Sequence, residues 1–222
     1  MIETSADLLL ALSRLSLIEG DRYPHWWRNY GAWLILPEAI LTQQTRWEKV
    51  EKSVENLIKL GLDSPEKLAR ADRLIVARAI APAGFYNQKA DRIISLLDFM
   101  LKEFGDFENF AASVDRERLL AQKGIGFESA DSILCYGCQR AVMVVDSYTA
   151  RLLSALGREF DDYDEIQNWL VFGVENEFNR VKKELNLSLE LTYAYFHGLI
   201  VEFCKNQKRG SLNILALDLK RA

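Results

Sequence analysis

Apolar residues recur along most of the chain every three to four positions, the spacing of one helical face, and strict two-residue alternation is rare. Leu8, Leu9, Leu12 and Leu15 make one such stripe. Leu34, Ile35, Ala39, Ile40 and Leu41 make a second, apolar enough to predict a mostly buried helix, and Val50, Val54, Leu57 and Ile58 continue the pattern. Ser64-Pro65 predicts a helix start, with a side-chain cap followed by proline at the first helical position. Asp72 caps another helix that must end before Pro82. Asn87 is the expected cap of a long helix through Ile93, Leu97, Met100 and Leu101, with Gly105 just past its end. Asp115 caps a short helix holding Leu119 and Leu120, and later helices start near Glu128, Asp146, Tyr163 and Ser188. The fold class is all-α, with about ten helices; only Ala141–Val145 reads as strand-like, and no fixed-period repeat is visible. The tail after Gln207 mixes Lys208, Arg209, Lys220 and Arg221 with apolar residues and predicts no definite element.

Composition narrows the class. The 222 residues are 49% hydrophobic and 27% charged, which is globular and excludes disorder and low complexity. A net charge of −4 argues mildly against nucleic acid for the chain as a whole, although a local basic face can sit on an acidic protein. The three cysteines cannot build a secreted disulfide framework, and the Cys135/Cys138 pair lacks the second pair a zinc site needs. They are expected as buried thiols. The apolar run Leu8–Leu12, flanked by Asp7 and Arg14, is too short for a membrane span or signal core, so a soluble intracellular protein is expected.

Two places carry chemistry. In Leu119–Ala130 one helix leads into Gly124-Ile125-Gly126 and another opens at once. Glycines two apart allow a tight hairpin, and the amides opening the second helix can then face a phosphate. A plain helix connection uses the same residues. The second place is Asp146, which ends the apolar run Val142-Met143-Val144-Val145 ahead of a new helix. A helix cap explains it, and a capped carboxylate stays ionised.

In order along the chain, five segments resemble the helix-hairpin-helix DNA glycosylase superfamily, the endonuclease III-like group. They are Leu41-Thr42-Gln43-Gln44-Thr45, Ala83–Ala90, Lys123–Asp131, Val144–Tyr148 and His197-Gly198, with the likeness covering about Tyr30 to Leu153. The Gly84–Ala90 run and Tyr195-Phe196-His197-Gly198 are most similar to bacterial 3-methyladenine DNA glycosylases of this fold. The resemblance implies two helical lobes. Residues 28–140 would form a barrel-like domain with the hairpin, and residues 1–27 with 141–222 a second domain, with damaged duplex DNA at the cleft between them.

By the same resemblance Asp146 is catalytic, and Gln44 is the wedge that fills the hole left by an extruded base. Lys123, Gly124, Ile125, Gly126 and Ser129 would contact DNA, and the carbonyls of Leu120, Gln122 and Ile125 could hold Na⁺ or K⁺. Bifunctional members carry a lysine eighteen residues before the aspartate. Position 128 is Glu128, which cannot form a Schiff base, so the implied enzyme is monofunctional and lacks AP-lyase activity. An iron–sulfur cluster is not expected, because Glu202 stands where the first of four cysteines would be and Cys204 is the last cysteine. Leu199 replaces the basic residue that often follows His-Gly, and His197 reads as a structural histidine or a donor beside the pocket.

Trp26, Trp27 and Trp47, with Glu128, are the expected base pocket, while Trp33 and Trp169 read as core. Indole faces attract cations, and a base alkylated at adenine N3 or guanine N7 is cationic with a weakened glycosidic bond. Arg116, Arg118, Lys123, Arg140 and Arg151 cluster in sequence near hairpin and aspartate, and Lys89 and Arg92 start another helix. The implied activity is hydrolysis of the N-glycosidic bond of alkylated purines, in a cytoplasmic, nucleoid-associated monomer. An endonuclease III-like enzyme for oxidised pyrimidines or mismatched bases, or a non-catalytic hairpin DNA-binding protein, fits the same residues.

Overall fold

A computed structural model of the chain describes residues 2–205 and 207. Among these residues there are thirteen α-helices, 3-10 turns at Gly20–Arg22 and Ala81–Ala83, a π-helical turn at Ile133–Gly137, and no strand. The all-α expectation holds. Lys208, Arg209, Lys220 and Arg221 of the tail lie outside the described residues. The chain forms two compact units, Gly31–Cys138 and the described residues before Gly31 together with those after Cys138.

In the Gly31–Cys138 unit, helices Ile35–Leu41, Pro65–Ala69, Arg73–Ala79 and Phe107–Ser113 pack on the long helix Tyr86–Phe104. That helix turns Ile93, Leu96, Leu97 and Met100 inward at three- and four-residue spacing. Each such burial contributes roughly 1.5–3 kcal/mol. The expected caps form. The Ser64 side chain accepts from the Lys67 amide, Asp72 from Leu74 and Ile75, and Asp115 from Arg118. Gly105 ends the long helix at φ +84°. Asn87 is not its cap. Gly84 (φ +68°) and Phe85 (φ +45°) turn the chain in left-handed conformations, so the helix opens at Tyr86 and Asn87 falls inside its first turn.

The hairpin is present as Arg116–Leu120, a turn with Gly124 at φ +84°, and Phe127–Ser132. Ile125 is buried, anchoring the turn. Behind it, fully buried Asp131 accepts two hydrogen bonds from Arg116, at 2.7 and 3.0 Å.

In the other unit, Leu8, Leu9, Leu12, Leu170, Phe196 and Ile200 belong to one buried cluster. A capping box at Thr4 and Asp7 opens its first helix, Ser5–Ser13. Ala141–Val145 is a loop, contrary to its strand-like composition. It has no ladder partner; instead the Val145 amide donates to the Tyr163 hydroxyl and the Met143 carbonyl accepts from Gln167 Nε2. Among the described residues no helix is long and apolar enough to cross a membrane.

Candidate active site

Buried Val144 and Val145 deliver the chain to Asp146, the N-cap of helix Ser147–Ala155. Asp146 Oδ1 accepts from the Thr149 amide (2.8 Å) and the Thr149 hydroxyl (2.9 Å). Its Oδ2 lies 3.6 Å from His197 Nε2, beyond hydrogen-bond length but close enough for strong electrostatic coupling. Burial pushes the carboxyl pKa up, and the His197 imidazole and the Thr149 donors outweigh it, so Asp146 is held below the ordinary carboxylate range. The side chain keeps 11% of its surface open.

His197 comes from the long helix Leu189–Lys205 and meets the Trp26 ring edge-on at 5.5 Å. Gly198, Glu202 and Lys205 follow at four- and three-residue steps, which puts them on one helical stripe. Trp26 lies along that stripe. A Cβ at Gly198 would collide with its ring, Glu202 Oε1 accepts from its Nε1 at 2.8 Å, and the Lys205 ammonium sits 5.5 Å from the ring centroid. Arg22 also pairs with Glu202, at 3.3 Å. Trp26 itself has φ +61°, a conformation a bulky residue holds only where its surroundings impose it. Trp27 is enclosed, 4% exposed, and backs the Trp26 ring at 5.9 Å and 80°. The aspartate, the histidine and these two tryptophans therefore share one unit.

The other expected site residues belong to the Gly31–Cys138 unit. Gln44 is exposed at φ +53°, and Trp47 is half-buried as the first residue of helix Trp47–Lys59. Lys123 and Glu128 are exposed and Gly124 is half-exposed. Ser129 is buried, with its hydroxyl accepting from Gln43 Nε2 at 3.0 Å. The Gln122 carbonyl accepts from the Ile125 amide, which closes the turn. Lys123 and Arg92 line a groove of about 590 Å³ with Arg73, Gln88, Asp91 and Ser95.

The basic cluster seen in sequence is largely committed elsewhere. Arg116 is bound to Asp131 and lies over the Phe127 ring. Arg118 pairs with Glu103 and stacks on Phe104, and Arg151 donates to the Cys204 carbonyl while covering Tyr148. Lys89 is not a surface cation at all. It is 2% exposed, and its ammonium meets oxygens of Leu41, Gln43, Thr45 and Ala83. Its place was readable as a lysine one turn before Ile93 on an apolar stripe. Nothing in the sequence marked Glu202 as the anchor of Trp26.

Residues 38–171 match the family model of the HhH-GPD superfamily of base excision DNA repair proteins. A Methanocaldococcus jannaschii protein, provisionally named a DNA repair glycosylase, is 36% identical over 214 residues, covering 92% of this chain and 90% of that one. The crystal structure of the H. pylori 3-methyladenine DNA glycosylase MagIII bound to 1,N6-ethenoadenine superposes with a TM-score of 0.88 at 42% identity, over 93% of this chain and 100% of that one. An endonuclease III trapped in a covalent complex with DNA shares the fold, with a TM-score of 0.67 at 18% identity over 96% of this chain and 92% of that one. The chain belongs to the HhH-GPD superfamily of base excision DNA repair proteins.

Proposed function

We propose that the chain is a monofunctional DNA glycosylase that hydrolyses the N-glycosidic bond of alkylated purines, of the 3-methyladenine type, in duplex DNA. The observation that carries this reading is Asp146, held ionised in a nearly closed site with His197 and Trp26 beside it. Leaving of the base generates an oxocarbenium-like sugar, and a fixed anion stabilises that charge and orients the attacking water. Cationic alkylpurines are already activated leaving groups, so an aromatic face and one carboxylate suffice. Trp26 offers the face, with Trp27 behind it. The likeness to a 3-methyladenine DNA glycosylase at 42% identity supports this substrate class.

On the DNA, Gln44 fills the vacated space, and Lys123, Gly124, Gly126 and the Ser129 amide take backbone phosphates around buried Ile125. The carbonyls of Leu120, Gln122 and Ile125 would hold a monovalent cation against that phosphate. The monofunctional reading is supported by Glu128, which cannot form a Schiff base, and by the buried amine of Lys89, which is surrounded by oxygens. An iron–sulfur cluster does not fit either. Glu202 anchors Trp26, and buried Cys204 is the last cysteine of the chain. The protein would act in the cytoplasm as a monomer.

The test is to incubate the protein with methylated duplex DNA and with oxidised-pyrimidine DNA and to identify the bases released. Free methylated purine is expected. Release from the oxidised substrate alone assigns the endonuclease III-like chemistry instead. Borohydride should trap no covalent adduct on abasic DNA, and a trapped adduct overturns the monofunctional assignment.

A further inference from the structure

We propose that Lys89 and Gln43 are positioning residues that lock the loop carrying Gln44 to the hairpin, so that phosphate docking and gap filling are set by one rigid frame. This rests on the glycosylase reading above.

The Lys89 ammonium lies 2.9 Å from the Leu41 carbonyl, 2.9 Å from the Gln43 carbonyl, 2.7 Å from Thr45 Oγ1 and 3.1 Å from the Ala83 carbonyl. Three of these oxygens belong to Leu41–Thr45, on both sides of Gln44. The fourth belongs to the turn that leads through Gly84 into exposed Phe85. An ammonium has three protons, so four oxygens exhaust it. Thr45 closes the frame by donating to the same Ala83 carbonyl, at 2.7 Å.

Gln43 makes the other half of the connection. Its backbone carbonyl is on Lys89, while its side chain points to the hairpin. Nε2 donates to the Gly124 carbonyl and to Ser129 Oγ, each at 3.0 Å, and Oε1 accepts from Arg92 at 2.8 Å. The Arg92 guanidinium lies so near Gly124 that a Cβ there would collide with it. One residue thus bridges the hairpin to the loop whose next residue, Gln44, holds φ +53° with its side chain exposed.

Two physical points favour a functional frame over simple loop packing. The carbonyls ending helix Ile35–Leu41 could be met by water or a neutral side chain, and a buried cation is a costly substitute. A left-handed glutamine persists only where its surroundings over-determine it, and here the Gln43 carbonyl before it and the Thr45 hydroxyl after it are both fixed to one cation.

The experiment uses duplex DNA with a stable abasic-site analogue opposite 2-aminopurine, whose fluorescence reports unstacking of the estranged base. No base is excised, so the readout is independent of catalysis. Wild type is expected to change the fluorescence on binding. Lys89→Met and Gln43→Leu should bind the duplex within about threefold of wild type yet lose most of that change. Gln44→Ala should show the same loss, and adding Lys89→Met to it should cost nothing more. If Lys89→Met does not fold, Gln43→Leu decides alone. A wild-type fluorescence change in either folded variant, whatever its melting temperature, overturns the proposal and leaves a purely structural lysine. Further loss in the double variant, or no change with wild type, overturns it too. Failure to release any base from alkylated DNA would strike the glycosylase reading while leaving this measurement standing.

Discussion

Asp146 and Lys89 are both ionisable groups removed from water, one in each unit, and their partners differ in kind. Lys89 directs its protons at four fixed oxygens of its own unit. Burial and the neighbouring Arg92 guanidinium pull its pKa down to about 8, so it is cationic below that pH but has nothing left to offer a substrate. Asp146 is satisfied on one side only. Oδ1 takes both Thr149 donors, while Oδ2 faces His197 across 3.6 Å and keeps acceptor capacity. Burial alone therefore does not mark a catalytic charge. The proposed catalytic charge differs in being held ionised with valence to spare.

The largest expected effect separates the two on stability. Lys89→Met takes the ammonium from four oxygens, of which the Gln43 and Ala83 carbonyls keep the Thr45 hydroxyl as a donor, and should lower stability by about 3–5 kcal/mol. Asp146→Asn keeps an N-cap acceptor and should lower it by less than about 1 kcal/mol. Urea titration of both variants checks the contrast; equal losses would erase it.

A smaller effect is expected at the Trp26 cradle. Gly198→Ala drives a methyl group into the indole, an overpacking that costs about 1–3 kcal/mol or displaces the ring. Base release should fall while binding to undamaged duplex is unchanged. Equal losses in both would show that Trp26 is packing alone.

The smallest effect is a shift in pH dependence. The folded pKa of Asp146 lies below its ordinary value of 3.8. Its contribution to stability is therefore present above the unfolded value and is lost as pH falls through the folded one. His197→Gln removes the main opposition to burial, so the folded pKa rises and the acid limb of base release moves to higher pH. Profiles of wild type and variant measure this, and superimposable acid limbs would show that His197 does not act on Asp146.

Much of this was legible in the sequence because the signals were local. Ser64, Asp72, Asp115 and Asp146 are caps whose chemistry is written within three residues, and each accepts the amide expected of it. Asn87 failed as a cap because the preceding Gly84-Phe85 turn set the helix start, and a left-handed phenylalanine has no sequence signature. The Ala141–Val145 segment had strand composition, but a strand needs a partner, which composition does not encode. Helix Phe178–Leu185 was not singled out; it is mostly polar, with Val181 its buried residue. At the site, Trp26 stood out through residue type and Asp146 through its cap position and the family resemblance. The roles of Glu202 and Lys89 depend on contacts spanning 176 and up to 48 positions, and pattern along the chain does not reach that far.

The most direct test of the central claim is single-turnover release of methylated purine from duplex DNA by Asp146→Asn, with binding to the same duplex measured alongside. The account predicts that release falls by at least about 10²–10³-fold while affinity stays close to wild type. Release at the wild-type rate would contradict it.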